Sequence, residues 1–199
     1  MIYLIRHGQT ELNREGRYQG RIDSALTALG VAQAEAVGRR LAAIKAEAPA
    51  DWRIEASPQG RALRTAQIIA AATGLAAPTL DERLMEASYG ELEGLTRPEV
   101  DARWPQLAGL RGTFGRAPGG ETMASLTQRA QSWLDDHRDG GVRVIAVSHA
   151  STGRVLRGLY LRLTLEALRE LETPQDAFHR LYDGKVERIE AAPPPSAER

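Results

Sequence analysis

The sequence predicts an α/β fold: a three-layer sandwich with a mainly parallel central sheet flanked by helices. Three observations carry that expectation. Short apolar runs of strand length alternate with segments of helical periodicity, the order that parallel β-α-β units require. The runs end in polar clusters at Arg6-His7-Gly8, Ser57-Pro58 and Ser148-His149, where a parallel sheet would deliver residues to its carboxyl edge. Finally, 199 residues without a long low-complexity interruption are enough for one domain with a sizeable core. We assign residues 1–190 to that domain, with a lid-like insertion at about 86–120. The tail AAPPPSAER, residues 191–199, has a composition that predicts disorder.

Along the chain, Ile2 to Ile5 is an apolar run closing at Gly8, a buried strand that feeds a loop. From Thr27 to Ala48 the positions Leu29, Ala32, Ala36, Val37, Leu41 and Ile44 recur at helical spacing, with Thr27 as the N-cap. Trp52 to Ala56 reads as a second strand. A helix over Arg61–Ala72 follows, with Pro58 in its first turn, Leu63, Ala66, Ile68 and Ile69 on one face and Gly74 closing it. Pro78–Leu84 is expected to be extended. Glu86–Gly120 is an irregular stretch carrying one short helix at Pro98–Arg103.

Helical spacing returns over Glu121–His137 through Met123, Leu126, Ala130 and Leu134, and stops at Gly140-Gly141. His137 and Arg138 would place favourable charge at that helix end. Val142–Val147 is the most strand-like run, and a helix is predicted at Thr152–Leu161. Two last strands, Ala177–Tyr182 and Val186–Ile189, are joined by the hairpin signal Asp183-Gly184.

Composition narrows the chemistry. The 26 basic and 26 acidic residues balance, so nothing in the overall charge favours nucleic acid or an anionic membrane as partner. Lys45 and Lys185 are the only lysines, and the remaining basic residues are arginines, whose planar fork suits phosphate. Cysteine is absent, which removes disulfides, thiolate nucleophiles and thiolate metal ligands, and fits a cytoplasmic setting. There is no signal-peptide pattern at the N-terminus and no apolar run of membrane-spanning length.

The three clusters suit phosphoryl transfer. Arg6 and Arg61 offer fixed positive charge, and Thr10, Asn13 and Ser57 add neutral donors. His7 and His149 could divide attack on phosphorus from hydrogen bonding to the transferring group, with Glu86 as proton donor to the leaving oxygen. No phosphate loop ending in lysine and Ser/Thr appears, and no Gly-x-Ser-x-Gly. Ser148 and His149, adjacent at a strand end, point to opposite faces and do not form a catalytic pair. Crowded arginines disfavour a cation, so neither metal nor cofactor is expected.

The ordered segments RHGQTELNREGRYQG, SPQGRALRTAQII, LMEASYGELEGLT, PGGET and VIAVSHAS resemble the histidine phosphatase superfamily, which includes the cofactor-dependent phosphoglycerate mutases. The resemblance implies that His7 is the nucleophile, Arg6 and Arg61 pocket arginines, His149 the second histidine and Glu86 the proton donor. It also implies pocket roles for Thr10, Asn13 and Ser57, and substrate contacts at Gln19, Gly20, Tyr89 and Arg97. The implied partner is a small phosphorylated metabolite, and the chain is expected as a monomer or homodimer. Ala150 stands where many relatives have glycine, and the stretch from Glu86 to Glu121, with Arg97, Arg103, Arg111 and Arg116, is shorter than in the mutases. The short lid favours the phosphatase branch over a mutase, with a non-catalytic phosphoester-binding domain as the remaining alternative, while Ala150 bears on the packing near His149.

Overall fold

A computed structural model describes residues 1–47, 49–110, 112–137 and 141–191. Its strands are β1 (Ile2–Arg6), β2 (Trp52–Ala56), β3 (Thr79–Leu80), β4 (Arg143–Ser148), β5 (Ala177–Tyr182) and β6 (Lys185–Glu190). The helices are α1 (Glu11–Arg14), α2 (Ala28–Glu47), α3 (Gly60–Thr73), α4 (Arg97–Arg103), α5 (Met123–Asp135), α6 (Ala150–Tyr160) and α7 (Leu165–Glu170). The sheet order is β3-β2-β4-β1-β5-β6. β1 pairs in parallel with β4, and β2 with β4 and β3, while β5 and β6 run antiparallel at one edge. The mainly parallel sheet is therefore as the sequence predicts, with the final hairpin as its antiparallel edge.

Strand alternation builds the layers. Ile2, Leu4, Val144 and Ala146 face Leu126, Ala130, Trp133, Val155 and Leu156 of α5 and α6. Tyr3, Ile5, Ile145 and Val147 face Val37, Leu41, Ala62, Ala66 and Ile69 of α2 and α3. Burial on both faces explains why Ile2–Ile5 and Val144–Val147 read as unbroken apolar runs. β2 carries one exception toward α5. The Glu55 carboxylate there accepts from Trp133 Nε1 at 2.9 Å and pairs with His137 Nε2 at 2.9 Å, with the His137 ring stacked on Trp133. Burial works to raise the Glu55 carboxyl, but the bonds from His137 and Trp133 outweigh it and hold the group below its usual range.

Element boundaries shift for identifiable reasons. Helix α6 begins at Ala150, directly after His149, because the helix starts as soon as β4 ends. Pro58 lies outside α3, whose N-cap is Gln59. Thr122 caps α5 by accepting from Ser125 N–H, so Glu121 falls before that helix. The expected extended run at Pro78–Leu84 contracts to the two residues of β3, after which Asp81 caps a 3-10 turn over Glu82–Leu84. His137 is buried against Glu55 instead of acting as a surface charge, although its Nδ1 does meet the Trp133 carbonyl of the last helical turn. Ala48, Arg111, Arg138, Gly140 and the expected tail beyond Ala191 lie outside the described residues.

Between Glu86 and Glu121 a small separate cluster of Leu92, Val100 and Leu107 packs with Tyr18, Tyr89 and Trp104. This cluster sits over the carboxyl edge through Tyr18 and Tyr89, whose rings are 5.2 Å apart. Among the described residues, no helix is long and apolar enough to cross a membrane.

Candidate active site

β1, β4 and β2 are neighbours in the sheet, which is why polar clusters distant in sequence meet at its carboxyl edge. Their pairing continues past the strands: His7 N–H donates to Ser148 O at 3.0 Å, and Ser57 N–H to Val147 O at 3.0 Å. His7, Ser57, Arg61, Glu86 and His149 are all buried.

The His7 ring is oriented by its own backbone. Nδ1 lies 2.8 Å from the Gly8 carbonyl, which can only accept, so this nitrogen carries the hydrogen. Nε2 is then the lone-pair nitrogen, and it accepts from Arg61 Nε at 3.3 Å. The His149 ring lies 5.1 Å away between centroids, with its Nε2 2.8 Å from Ser57 Oγ. Ser148 turns the other way and donates to Leu84 O, as expected for neighbours at a strand end.

Gly8 serves a close approach, not a left-handed turn. A Cβ on Gly8 would fall 2.2 Å from the Gly30 carbonyl oxygen, and one on Gly30 would fall 2.0 Å from the Gln9 carbonyl oxygen. The loop after β1 thus packs backbone to backbone against the first turn of α2. Thr27 caps that turn by accepting from Gly30 N–H at 3.0 Å.

Arg61, in the first turn of α3, is shared between His7 Nε2 and the 20–23 loop. Nη1 donates to Ile22 O and Asp23 Oδ1, and Nη2 to the Gly20 carbonyl at 2.8 Å. The Nε–H on His7 is the hydrogen an incoming anion can draw away, and drawing it away frees the His7 lone pair. Arg6 reaches Thr173 O with Nη1 at 2.7 Å, while its buried Nε has no partner among the described residues, nor has His149 Nδ1.

Thr10, Asn13 and Gln19 hold one another around α1. Thr10 Oγ1 accepts from Asn13 N–H at 3.2 Å and from Gln19 Nε2 at 2.8 Å, and Asn13 Oδ1 accepts from Thr10 N–H. Glu86 lies against the start of α6: Oε1 accepts from Ala87 N–H and Thr152 N–H, and Oε2 from Ser151 N–H at 3.1 Å. Oε2, with the single amide donor, is the oxygen better placed to carry a transferable proton. Ala150 is the first residue of α6, a position where a methyl group is well accommodated. The Tyr89 hydroxyl meets Ser151 Oγ at 2.7 Å, and burial, reinforced by the Glu86 charge, raises it further above the usual phenol range. Arg97 stays within the lid. Its guanidinium donates to Asp101, the Tyr18 hydroxyl, Leu110 O and Leu107 O.

The sequence reading passes over Gln59, whose amide joins Gly20 O to Glu86 N–H. Its place inside SPQGR, between two turn residues, was the available signal. It also passes over Thr173 and Gln175, which reach the site from a loop with no motif of its own.

Electrostatics favour an anion and neutral histidines. Burial, then Arg61 and Arg6, hold His7 well below its ordinary value of 6.5. Burial and Arg61, with smaller contributions from His7, Arg129 and Arg6, do the same for His149. Burial also draws Arg6 down to about 10, with the Glu86 charge opposing it, so Arg6 remains cationic at neutral pH. Away from the site, burial and Arg157 lower His179 to about 3.

These three histidines predict an acid-sensitive fold. Below pH 6.5 the unfolded chain binds their protons and the folded chain does not, so stability is complete above that pH and falls as pH is lowered. Each contributes about 1.4 kcal/mol per pH unit, or roughly 4 kcal/mol per unit together. Melting temperature measured from pH 7.5 to 5.5 should drop steeply below about 6.5; a flat profile would contradict the buried neutral state.

Among the described residues, no group of three His, Asp or Glu side chains is arranged to hold a metal ion. The model of the histidine phosphatase superfamily (branch 1) matches residues 2–186. A Salmonella paratyphi C protein named "Probable phosphoglycerate mutase GpmB" is 37% identical over 187 residues, covering 90% of this chain and 83% of its own. The solved structure of Bacillus stearothermophilus YhfR superposes with a TM-score of 0.77 at 30% identity, covering 95% of each chain. The mycobacterial glucosyl-3-phosphoglycerate phosphatase Rv2419c shares the fold, with a TM-score of 0.74 at 24% identity over 96% of this chain and 97% of that one.

Proposed function

The chain belongs to the histidine phosphatase superfamily, and from that premise we propose that it hydrolyses a small phosphomonoester through a phosphohistidine on His7. The observation that carries this reading is the His7 ring: Nδ1–H is fixed on Gly8 O, and a lone pair on Nε2 faces Arg61 beside His149. The phosphate binds among Arg6, Arg61 and His149, with Ser57 and Asn13 at the margin. It takes over the Arg61 Nε–H, and His7 Nε2 attacks phosphorus in line. The ester P–O bond breaks as the N–P bond forms, and Glu86 Oε2 delivers its proton to the leaving alkoxide. A water then attacks the phosphohistidine, giving its proton to Glu86, and the N–P bond breaks to release inorganic phosphate and the free imidazole. No metal or organic cofactor enters this sequence. Gln19, bonded to Thr10, Gly20, bonded to Arg61, and Tyr89, bonded to Ser151, are proposed to meet the alcohol portion, and Arg97 acts through the lid it holds together.

Purified protein given a panel of phosphomonoesters in the presence of chelator tests the reading. Release of inorganic phosphate from at least one ester supports hydrolysis. Absence of release from every ester refutes it. The likeness to a protein named as a phosphoglycerate mutase favours a second reading, return of the phosphoryl group to another hydroxyl. With 3-phosphoglycerate as substrate, isomer in excess of free phosphate would establish that alternative.

Glu86 gives a sharper prediction. Glu86→Gln keeps the acceptor toward α6 but cannot donate a transferable proton. Its kcat/KM, which covers only the steps up to phosphohistidine formation, should fall about 100-fold on an alkyl phosphate and less than about 10-fold on p-nitrophenyl phosphate, whose leaving group needs no acid. Equal losses on both substrates would remove Glu86 as the acid.

A further inference from the structure

The segment between α7 and β5, residues 171–176, is neither helix nor strand, yet it meets the site repeatedly. Three successive carbonyls each take a hydrogen from a different arginine: Leu171 O from Arg154 Nε, Glu172 O from Arg157 Nη2, and Thr173 O from Arg6 Nη1. Two residues later Gln175 Nε2 lies 3.0 Å from the His7 carbonyl oxygen and 3.2 Å from Asn13 Oδ1.

Strand geometry explains why a side chain is needed there. β1 pairs with β5 only through Ile2, Tyr3 and Leu4, opposite Leu181, Arg180 and His179. The odd-numbered residues of β1 turn their backbone groups toward β4, where Met1 O accepts from Val144 N–H and His7 N–H donates to Ser148 O, so a longer β5 would not serve the His7 carbonyl. On the β4 side the ladder stops there, because β4 ends at Ser148 and α6 begins at Ala150. The His7 carbonyl therefore lacks a backbone donor, and the Gln175 amide supplies one. Both oxygens facing this amide are acceptors. Asn13 Oδ1 also takes Thr10 N–H, so that end of the Asn13 amide is its oxygen. The nitrogen of Gln175, with its two hydrogens, is the end that must face them.

We propose that Gln175 is a positioning residue for phosphoryl transfer: one amide ties the His7 backbone to Asn13 and fixes the approach of the His7 ring to phosphorus from outside the pocket. The assignment rests on the proposed role of His7 as nucleophile. Because the same loop holds Arg6 through Thr173, the nucleophile and one of its cations are referred to a single segment.

Two variants test it. Gln175→Leu keeps most of the volume and removes the donor. Its kcat should fall about 10- to 30-fold, with KM within about threefold and the melting temperature near wild type. Gln175→Glu keeps the shape and turns the donor into an acceptor. Its kcat relative to wild type should fall about 30-fold at pH 8 and recover to within about fivefold at pH 6, where the substituted carboxyl, facing two oxygens, regains an O–H. A purely structural contribution would give a deficit independent of pH. Wild-type kcat in both variants, or a Gln175→Glu deficit equal at the two pH values, overturns the assignment while leaving His7 as nucleophile. A wild-type protein that forms no phosphohistidine from any ester overturns both.

Discussion

Replacing His7 with alanine is expected to lower turnover by at least about 10³-fold, because on the proposed mechanism His7 Nε2 forms the N–P bond. The expected companion result is loss of the acid-labile, base-stable phosphoryl label that the wild type acquires on brief mixing with substrate. Turnover within about tenfold of wild type would remove the covalent mechanism altogether. A second readout separates chemistry from misfolding. His7 is buried as a neutral imidazole, so its removal relieves the protein of one proton uptake on unfolding. The alanine variant should therefore lose stability more gently on acidification, by about 1.4 kcal/mol less per pH unit below 6.5. An inactive variant with that altered slope has kept its fold.

Gly30→Ala should be among the most damaging substitutions outside the reacting groups. Its methyl group would lie 2.0 Å from the Gln9 carbonyl oxygen, and that atom is backbone, which cannot rotate away. The loop carrying His7 must then separate from α2, breaking the reciprocal fit in which Gly8 rests against the Gly30 carbonyl. We expect a stability loss of about 3 kcal/mol or more and a fall in kcat larger than the unfolded fraction accounts for. Urea unfolding and kinetics on the same sample check this. A loss under about 1 kcal/mol with normal kcat would mean that the loop has room to yield. Gly153→Ala is the control: a Cβ there meets only the tip of Leu4, at 4.0 Å.

Much of the fold was legible because the strands obey simple rules. Ile2–Ile5 and Val144–Val147 are apolar on both faces because helices cover both faces, and such runs stand out in any sequence. The convergence of Arg6-His7, Ser57 and Ser148-His149 followed from the parallel order alone. Short elements escaped notice because they are held from a distance. α1 has four residues and no buried side chain, and depends on the mutual bonds of Thr10, Asn13 and Gln19. α7 is anchored by Arg169, which donates to the Phe114 carbonyl across the lid.

The site was legible in its residue types but not in their allocation. Arg61 and Arg97 look alike in sequence. In space one bonds His7 while the other bonds lid carbonyls. Glu86 is a loop carboxylate in sequence, and only the packing of α6 shows which amides surround it. Gln175 left no local trace, since its value comes from a carbonyl left bare where β4 gives way to α6.

The position of β4 between β1 and β2 governs how this protein can be made. β1 has no strand to pair with until Arg143–Ser148 has been synthesised, because its partners are β4 and β5. At about 5–20 residues per second the ribosome needs very roughly 7–30 s to cover that interval. Throughout it the apolar segment Ile2–Ile5, buried in the finished fold, waits without its sheet. The last tie, Gln175 to His7, comes later still. The surroundings of His7 are thus completed only by a segment made 168 residues after it.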